Sequence, residues 1–171
     1  MKIIASIILL FAFVVSYSQG NHHEGLLKIE KVKTYWDKDS TKVRSLGFYN
    51  KSGFTSVGVR TGLWRFWDER GRIEESAYYW EGFRHGKTQQ FYPSGKVMIE
   101  GYYFVGVKDS IFKAFYKDGT LAEKGEYSGL PDSFLDDEEN NAWSNKLDNY
   151  EPIKIGKWEY FYENGKPMMV T

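Results

Sequence analysis

The chain has 171 residues, 23 Lys and Arg against 23 Asp and Glu, and no cysteine. That length suits one domain or one repeat array, at roughly 100–200 residues per domain. A formal charge of zero argues against a nucleic-acid binder and a polybasic membrane-surface protein, and the lack of cysteine excludes disulfides, cysteine-bound zinc, thiol catalysis and a lipidated N-terminal cysteine.

Residues 1–18 read as a secretory signal peptide. Lys2 gives the short positive start, and Ile3 to Val15 is apolar apart from Ser6. Ser16-Tyr17-Ser18 puts small residues at the two positions a signal peptidase inspects. The apolar run is short against the roughly 20 residues that cross a bilayer. Cleavage is expected after Ser18, and the product is expected to be exported, periplasmic or at the cell surface. No later stretch is apolar enough for a membrane-spanning helix. The remaining chain holds 28 Phe, Tyr and Trp against 22 Leu, Ile and Val, a balance that favours strands and turns over helices.

Residues 19–61 read as an N-terminal cap region. Leu27 to Trp36 is a candidate edge strand. Gly47-Phe48-Tyr49-Asn50-Lys51-Ser52-Gly53 reads as a shortened repeat unit, because Phe-Tyr followed by Gly recurs further on.

From residue 62 to 171 the chain repeats. Units start at Gly62, Gly86 and Ser110, 24 residues apart, and a partial unit starts at Gly156. Turn glycines follow at Gly71, Gly95, Gly119 and Gly165. Trp64, Phe112 and Trp158 share the third position, with Thr88 as the exception. Trp67, Phe91, Phe115 and Phe161 share the sixth, and Tyr79, Tyr103 and Tyr127 recur on the second arm. The first arm alternates, with Trp158, Tyr160 and Tyr162 on one side and Lys157, Glu159 and Phe161 on the other, which is the two-faced pattern of a strand. Arg-Gly, Ser-Gly, Asp-Gly and Asn-Gly mark the turn between arms, and Glu81-Gly82 or Val105-Gly106 marks the next. The expected fold is all-β: repeated antiparallel β-hairpins in an open meander sheet, stabilised by stacking on their neighbours.

An insertion at 130–155 interrupts the array, since Gly119 and Gly165 are 46 residues apart rather than 24. Ser133 followed by Asp136 resembles a helix start, and Phe134, Leu135, Trp143 and Leu147 are spaced to lay one short helix on the sheet. A solvated acidic loop is the other reading, and both stay open.

These units resemble the MORN-repeat variant, built from Gly-x-Trp-x-x-Tyr-Tyr-x-x-Gly-Lys followed by a strand ending near Tyr-x-x-Gly. The nearest segment is GKWEYFYENGK, Gly156 to Lys166, and YWEGFRHGK, Tyr79 to Lys87, resembles the family's linking segment. The likeness extends over residues 62–129 and 156–171. It implies an open sheet of hairpins and a binding or scaffolding role, and it carries no catalytic residues. Similar secreted proteins are frequent in Bacteroidota-type bacteria, and some bear the label of a toxin–antitoxin antitoxin component.

Candidate chemistry is sparse. His22, His23 and Glu24 form a possible metal cluster at the expected mature N-terminus, where chains are usually mobile. His85 is placed in the interunit turn. Asp132, Asp136, Asp137, Glu138 and Glu139 are acidic enough for calcium but lack the alternating ligand spacing and the glycine of a helix–loop–helix site. Glu74 and Glu75 are adjacent and so point to opposite faces, and Glu75 and Glu123, which share a repeat position, are expected on the surface. No Ser–His–Asp order, phosphate-binding glycine loop or metal-binding helix motif occurs, so no enzyme, cofactor or metal site is expected. The aromatics offer more. Tyr78, Trp80, Tyr102 and Phe104 have the opposite parity from Tyr79 and Tyr103, so one face of a two-faced sheet is expected to carry an aromatic strip unless another segment covers it. A protein partner in the cell envelope is the expected ligand. An envelope glycan, a lipid headgroup and an antitoxin or immunity-type role are the alternatives, and a nucleic acid is not expected.

Overall fold

The computed structural model describes residues 28–51, 58–131 and 150–170. Ten strands form in it: β1 (Ile29–Tyr35), β2 (Val43–Asn50), β3 (Val59–Trp67), β4 (Ile73–Trp80), β5 (Phe83–Phe91), β6 (Val97–Phe104), β7 (Val107–Phe115), β8 (Leu121–Ser128), β9 (Lys154–Phe161) and β10 (Pro167–Val170). They make one sheet in strict chain order, with antiparallel pairs throughout. No helix occurs among the described residues. The open all-β meander expected from the repeat is therefore the fold. The signal peptide at 1–18 and the insertion helix fall outside the described residues.

Two kinds of turn alternate. Between β3 and β4 the Asp68 N–H donates to Arg72 O at 2.9 Å, and the Gly71 N–H donates to Asp68 O at 3.0 Å. That pattern is a three-residue loop, a type I turn closed by a left-handed residue. It recurs at Tyr92–Lys96, Tyr116–Thr120 and Tyr162–Lys166. Gly71, Gly95, Gly119 and Gly165 take the left-handed place, with φ between 76° and 96°. The dipeptides ending in these glycines mark the turns correctly, but each turn is one residue longer than a two-residue hairpin loop. The intervening connections, Glu81-Gly82 and Val105-Gly106, are two-residue loops with positive φ at both positions, the type I′ geometry that follows strand twist.

The unit starts need correction. Ala77 pairs with Thr88 and Tyr79 with Arg84, so β5 carries two residues more than β4 over that stretch. The same excess occurs where β3 meets β2, β7 meets β6 and β9 meets β8. Gly62, Gly86, Ser110 and Gly156 lie inside these bulges, with φ of 65°, 103°, 57° and 61°. They are bulge residues within the first arm, not its first residues, and the arms begin earlier, at Val59, Phe83, Val107 and Lys154. Bulges of this kind bend the strand and raise its twist.

The segment around Gly47 is also re-read. Val32 pairs with Gly47 and Tyr35 with Val43, as Trp64 pairs with Ala77 and Trp67 with Ile73. Phe48-Tyr49 therefore matches the second arm, Tyr78-Tyr79, rather than the first. β1 and β2 are a complete hairpin, with β1 as the expected edge strand, so the sheet is five hairpins in one register.

One face of the sheet holds the core. A row runs across it from Trp64 through Ala77, Thr88, Gly101, Phe112 and Gly125, each paired to the next, and Trp158 lies beside Gly125. Trp64, Ala77, Thr88, Phe112 and Trp158 are almost fully buried. The rings lie over the preceding strand. A Cβ built on Gly47 would be 2.5 Å from Trp64 Cγ, one on Gly101 3.3 Å from Phe112 Cδ2, and one on Gly125 2.7 Å from Trp158 Cγ. Each indole then finishes the bulge beneath it. Trp64 Nε1 donates to Phe48 O and Trp158 Nε1 to Glu126 O, both at 3.1 Å. This explains the exception at Thr88. Its preceding strand carries Ala77, whose methyl occupies the space a ring would need.

Candidate functional site

The strip read from strand parity lies on the face opposite this core. Tyr78 and Trp80 are on β4, and Tyr102 and Phe104 are on β6. Tyr78, Trp80 and Tyr102 are 47%, 52% and 45% exposed, while Phe104 is half-buried. His85 joins them. It is the third residue of β5 rather than a turn residue, because the two-residue loop already ends at Gly82. Its imidazole sits 5.7 Å from the Trp80 ring and 5.0 Å from the Phe104 ring, and its buried Nδ1 has no hydrogen-bond partner among the described residues. Several of the surrounding charges are paired. Lys87 Nζ and Gln89 Nε2 both lie 2.8 Å from Glu100 Oε2, and Lys124 lies 2.7 Å from Glu159. The Lys87 hydrogen bond holds the Glu100 carboxyl below its ordinary value, and Lys124 and Lys157 do the same for Glu159. The arrangement is a flat aromatic platform bordered by neutralised charges, suited to covering another molecule's apolar or ring surface.

The core face carries a row of cations that sequence reading missed. Arg60, Arg84, Lys108 and Lys154 each stand four residues before Trp64, Thr88, Phe112 and Trp158, and that constant offset is the signal that would have found them. The Arg60 guanidinium lies 5.1, 5.3 and 5.4 Å from the rings of Trp64, Phe66 and Tyr79. Lys108 lies 4.7 Å from Phe112, and Lys154 3.9 Å from Trp158. Cations over ring faces are attracted by the ring quadrupole. Arg84 lies 5.9 Å from the Tyr103 ring and also pairs with Glu75 at 2.7 Å, and Lys154 approaches Glu123 at 3.7 Å. Glu75 was expected on the surface, but its side chain is only 13% exposed. The bulge brings Arg84 across to it and makes burial tolerable. Burial lowers the Arg84 pKa, but the Glu75 bond and charge outweigh it and leave the value raised. Burial pushes the Tyr79 and Tyr103 hydroxyls up.

A groove of about 470 Å³ opens on this face at the hairpin-turn end of β3 to β5. Its origin lies in the turns. Four residues after the third position stand Trp36, Asp68, Tyr92, Tyr116 and Tyr162. Trp36 Nε1 donates to Trp67 O at 2.8 Å. Tyr92 and Tyr116 hydroxyls donate to Phe115 O and Phe161 O, each at 2.7 Å. Asp68 is the short member. It folds back on its own turn, accepting the Arg70 and Arg72 N–H groups and the Arg72 guanidinium. No described side chain donates to Phe91 O, and the groove lies between Trp36 and Trp67 on one side and Phe91 and Met98 on the other. Arg44, Arg60 and Arg84 line it as well, and so do Glu74 and Glu75.

Among the described residues, no group of three His, Asp or Glu side chains could hold a metal ion, and no helix is long and apolar enough to cross a membrane. His22, His23, Glu24 and the acidic cluster at 132–139 lie outside the described residues.

Comparison with known proteins gives three repeat matches and little else. No curated protein matches the chain. The crystal structure of TarM aligns with 70% of this chain and 25% of its own, at 12% identity and a TM-score of 0.30, a likeness too slight to carry an argument. The chain thus spans about a quarter of that protein. Residues 84–104, 108–128 and 154–170 match the family described as MORN repeat variant. Each match begins on the cation row, at Arg84, Lys108 or Lys154, and runs into the second arm. The hairpins of β1–β2 and β3–β4 share the same register and lie outside these stretches. These three stretches, about a third of the chain, are similar to that repeat.

Proposed function

We propose that the protein is an exported, non-catalytic interaction module of the cell envelope. Its Tyr78, Trp80 and Tyr102 side chains dock a protein partner. The observation that carries this reading is the exposure of three large aromatic side chains on one face of a single sheet, two on β4 and one on β6. Neighbouring hairpins hold the platform rigid, so little side-chain entropy is lost on docking. Export is supported by the sequence of residues 1–18, and the envelope is the compartment such a signal serves.

The test is capture of partners from the native envelope with the tagged chain starting at Gln19. Wild type should retain one stoichiometric protein that the Trp80→Ala/Tyr102→Ala variant loses, while the far-UV circular dichroism of the two stays the same. Equal capture by both would remove the strip from the mechanism. The same platform suits the flat face of a sugar ring, so an envelope glycan is the second reading. Quenching or enhancement of tryptophan emission by glycans, with no protein captured, would favour it.

A further inference from the structure

The groove between Trp36, Trp67 and Phe91 is a vacancy in an otherwise regular row. Three turns of the array send an aromatic side chain across the next strand to a backbone carbonyl: Trp36 to Trp67, Tyr92 to Phe115 and Tyr116 to Phe161. The turn between β3 and β4 has Asp68 in that place, and Asp68 is held by Arg72. The carbonyl of Phe91, which a tyrosine at 68 would reach, has no donor among the described side chains. The space that the ring would fill is the groove, floored by Phe66 and Tyr79.

We propose that this groove binds a tyrosine side chain of a protein partner, in a segment where acidic residues flank the tyrosine. The array itself displays the bound form. Tyr92 and Tyr116 show how a phenol lies against these strands and where its hydroxyl donates. The charge of the flanks follows from the rim. Arg44 lies 4.6 Å from the Trp36 ring, and Arg60 sits over three rings. Neither has a carboxylate partner among the described residues, whereas Arg84 is occupied by Glu75. Three guanidinium groups line the slot against two carboxylates, Glu74 and Glu75, and Glu75 is taken by Arg84, so the rim keeps a positive excess that favours carboxylates beside the entering ring. This site lies on the opposite face from the Tyr78 and Trp80 platform and is independent of it.

The probes are the peptides acetyl-Glu-Tyr-Glu-amide, acetyl-Glu-Phe-Glu-amide and acetyl-Gln-Tyr-Gln-amide, titrated into the full chain and followed by tryptophan emission and calorimetry. Saturable binding of the first is expected, with the phenylalanine peptide about threefold to tenfold weaker for want of the hydroxyl donor to Phe91 O. Asp68→Tyr should fill the groove from within, so the variant keeps its circular dichroism and no longer binds. Arg44→Gln changes an exposed side chain and should weaken acetyl-Glu-Tyr-Glu-amide about threefold or more, with little effect on acetyl-Gln-Tyr-Gln-amide. Absence of saturable binding up to about 10 mM would overturn the proposal, since affinity that weak is below about 3 kcal/mol. Equal affinity for the tyrosine and phenylalanine peptides, or unchanged binding by both variants, would overturn it too.

Discussion

Replacing Gly125 with alanine tests the ring-over-glycine rule where its logic is sharpest. In an open strand position the change would help, because glycine costs about 0.5–1 kcal/mol relative to alanine in backbone entropy. Gly125 does not have a positive φ, so the backbone accepts alanine without strain. The new Cβ would nevertheless lie 2.7 Å from Trp158 Cγ and closer still to Cδ2 and Cε2. Carbon atoms rest about 3.5–4.0 Å apart, so the indole must retreat by about 1 Å. That retreat stretches the 3.1 Å bond from Trp158 Nε1 to Glu126 O beyond useful length. Overpacking costs about 1–3 kcal/mol and the lost bond about 0.5–1.5 kcal/mol, which together outweigh the entropic gain. The expected net loss is about 2 kcal/mol, read as a lower urea midpoint by circular dichroism. The partner change is Trp158→Thr, which copies the Ala77–Thr88 pair between β4 and β5. Trp158→Thr alone should cost about 3–5 kcal/mol, the usual range for truncating a buried tryptophan. In that background Gly125→Ala should become neutral or stabilising, because nothing remains for the methyl to strike. Gly125→Ala costing the same in both backgrounds, or stabilising the wild type, would refute the reasoning.

Two further predictions concern backbone and charge. Ser110 holds a φ of 57° in the bulge where the other arms have glycine, so Ser110→Gly should raise stability by about 0.5–1 kcal/mol in urea unfolding. A lower midpoint would mean that its bond to Asp109 matters more than the relieved strain. Stability should also have two pH limbs. Glu100 and Glu159 have lowered values in the folded chain, so their contribution is present above the unfolded carboxylate range and is lost as pH falls through about 4 and below. Tyr79 and Tyr103 have raised values, so theirs is present below about 10 and is lost as pH rises beyond it. Melting temperature against pH should show both limbs. Phenol absorbance should show tyrosines that ionise later than free tyrosine, and a single unshifted titration would contradict the burial of these two.

Much of this was legible one residue at a time. Alternation of Trp158, Tyr160 and Tyr162, glycines at fixed offsets and aromatic recurrence are local signals. A strand's two-residue period and a turn's need for positive φ do not depend on distant contacts. The shared face of Tyr78, Trp80, Tyr102 and the half-buried Phe104 is legible for the same reason, since parity along a strand assigns a face. The signals failed where a glycine had a second use. Gly62, Gly86 and Gly156 look like the starts of arms because glycine marks turns and bulges alike, and only pairing with the neighbouring strand separates the two. His85 was misplaced by the same error.

The sequence by itself therefore determined the repeat, the all-β architecture and the faces of Tyr78, Tyr79, Trp80, Tyr102 and Tyr103, because strand period and turn preference act over a few residues. The tertiary structure alone decided what those faces contain. Ala77 excludes a ring at Thr88 through the neighbouring strand, Arg84 reaches Glu75 because a bulge shifts the register, and Asp68 leaves a groove because it cannot reach a carbonyl 23 residues further on. Each of these depends on strands brought side by side, and on the short distances between side chains that follow from it.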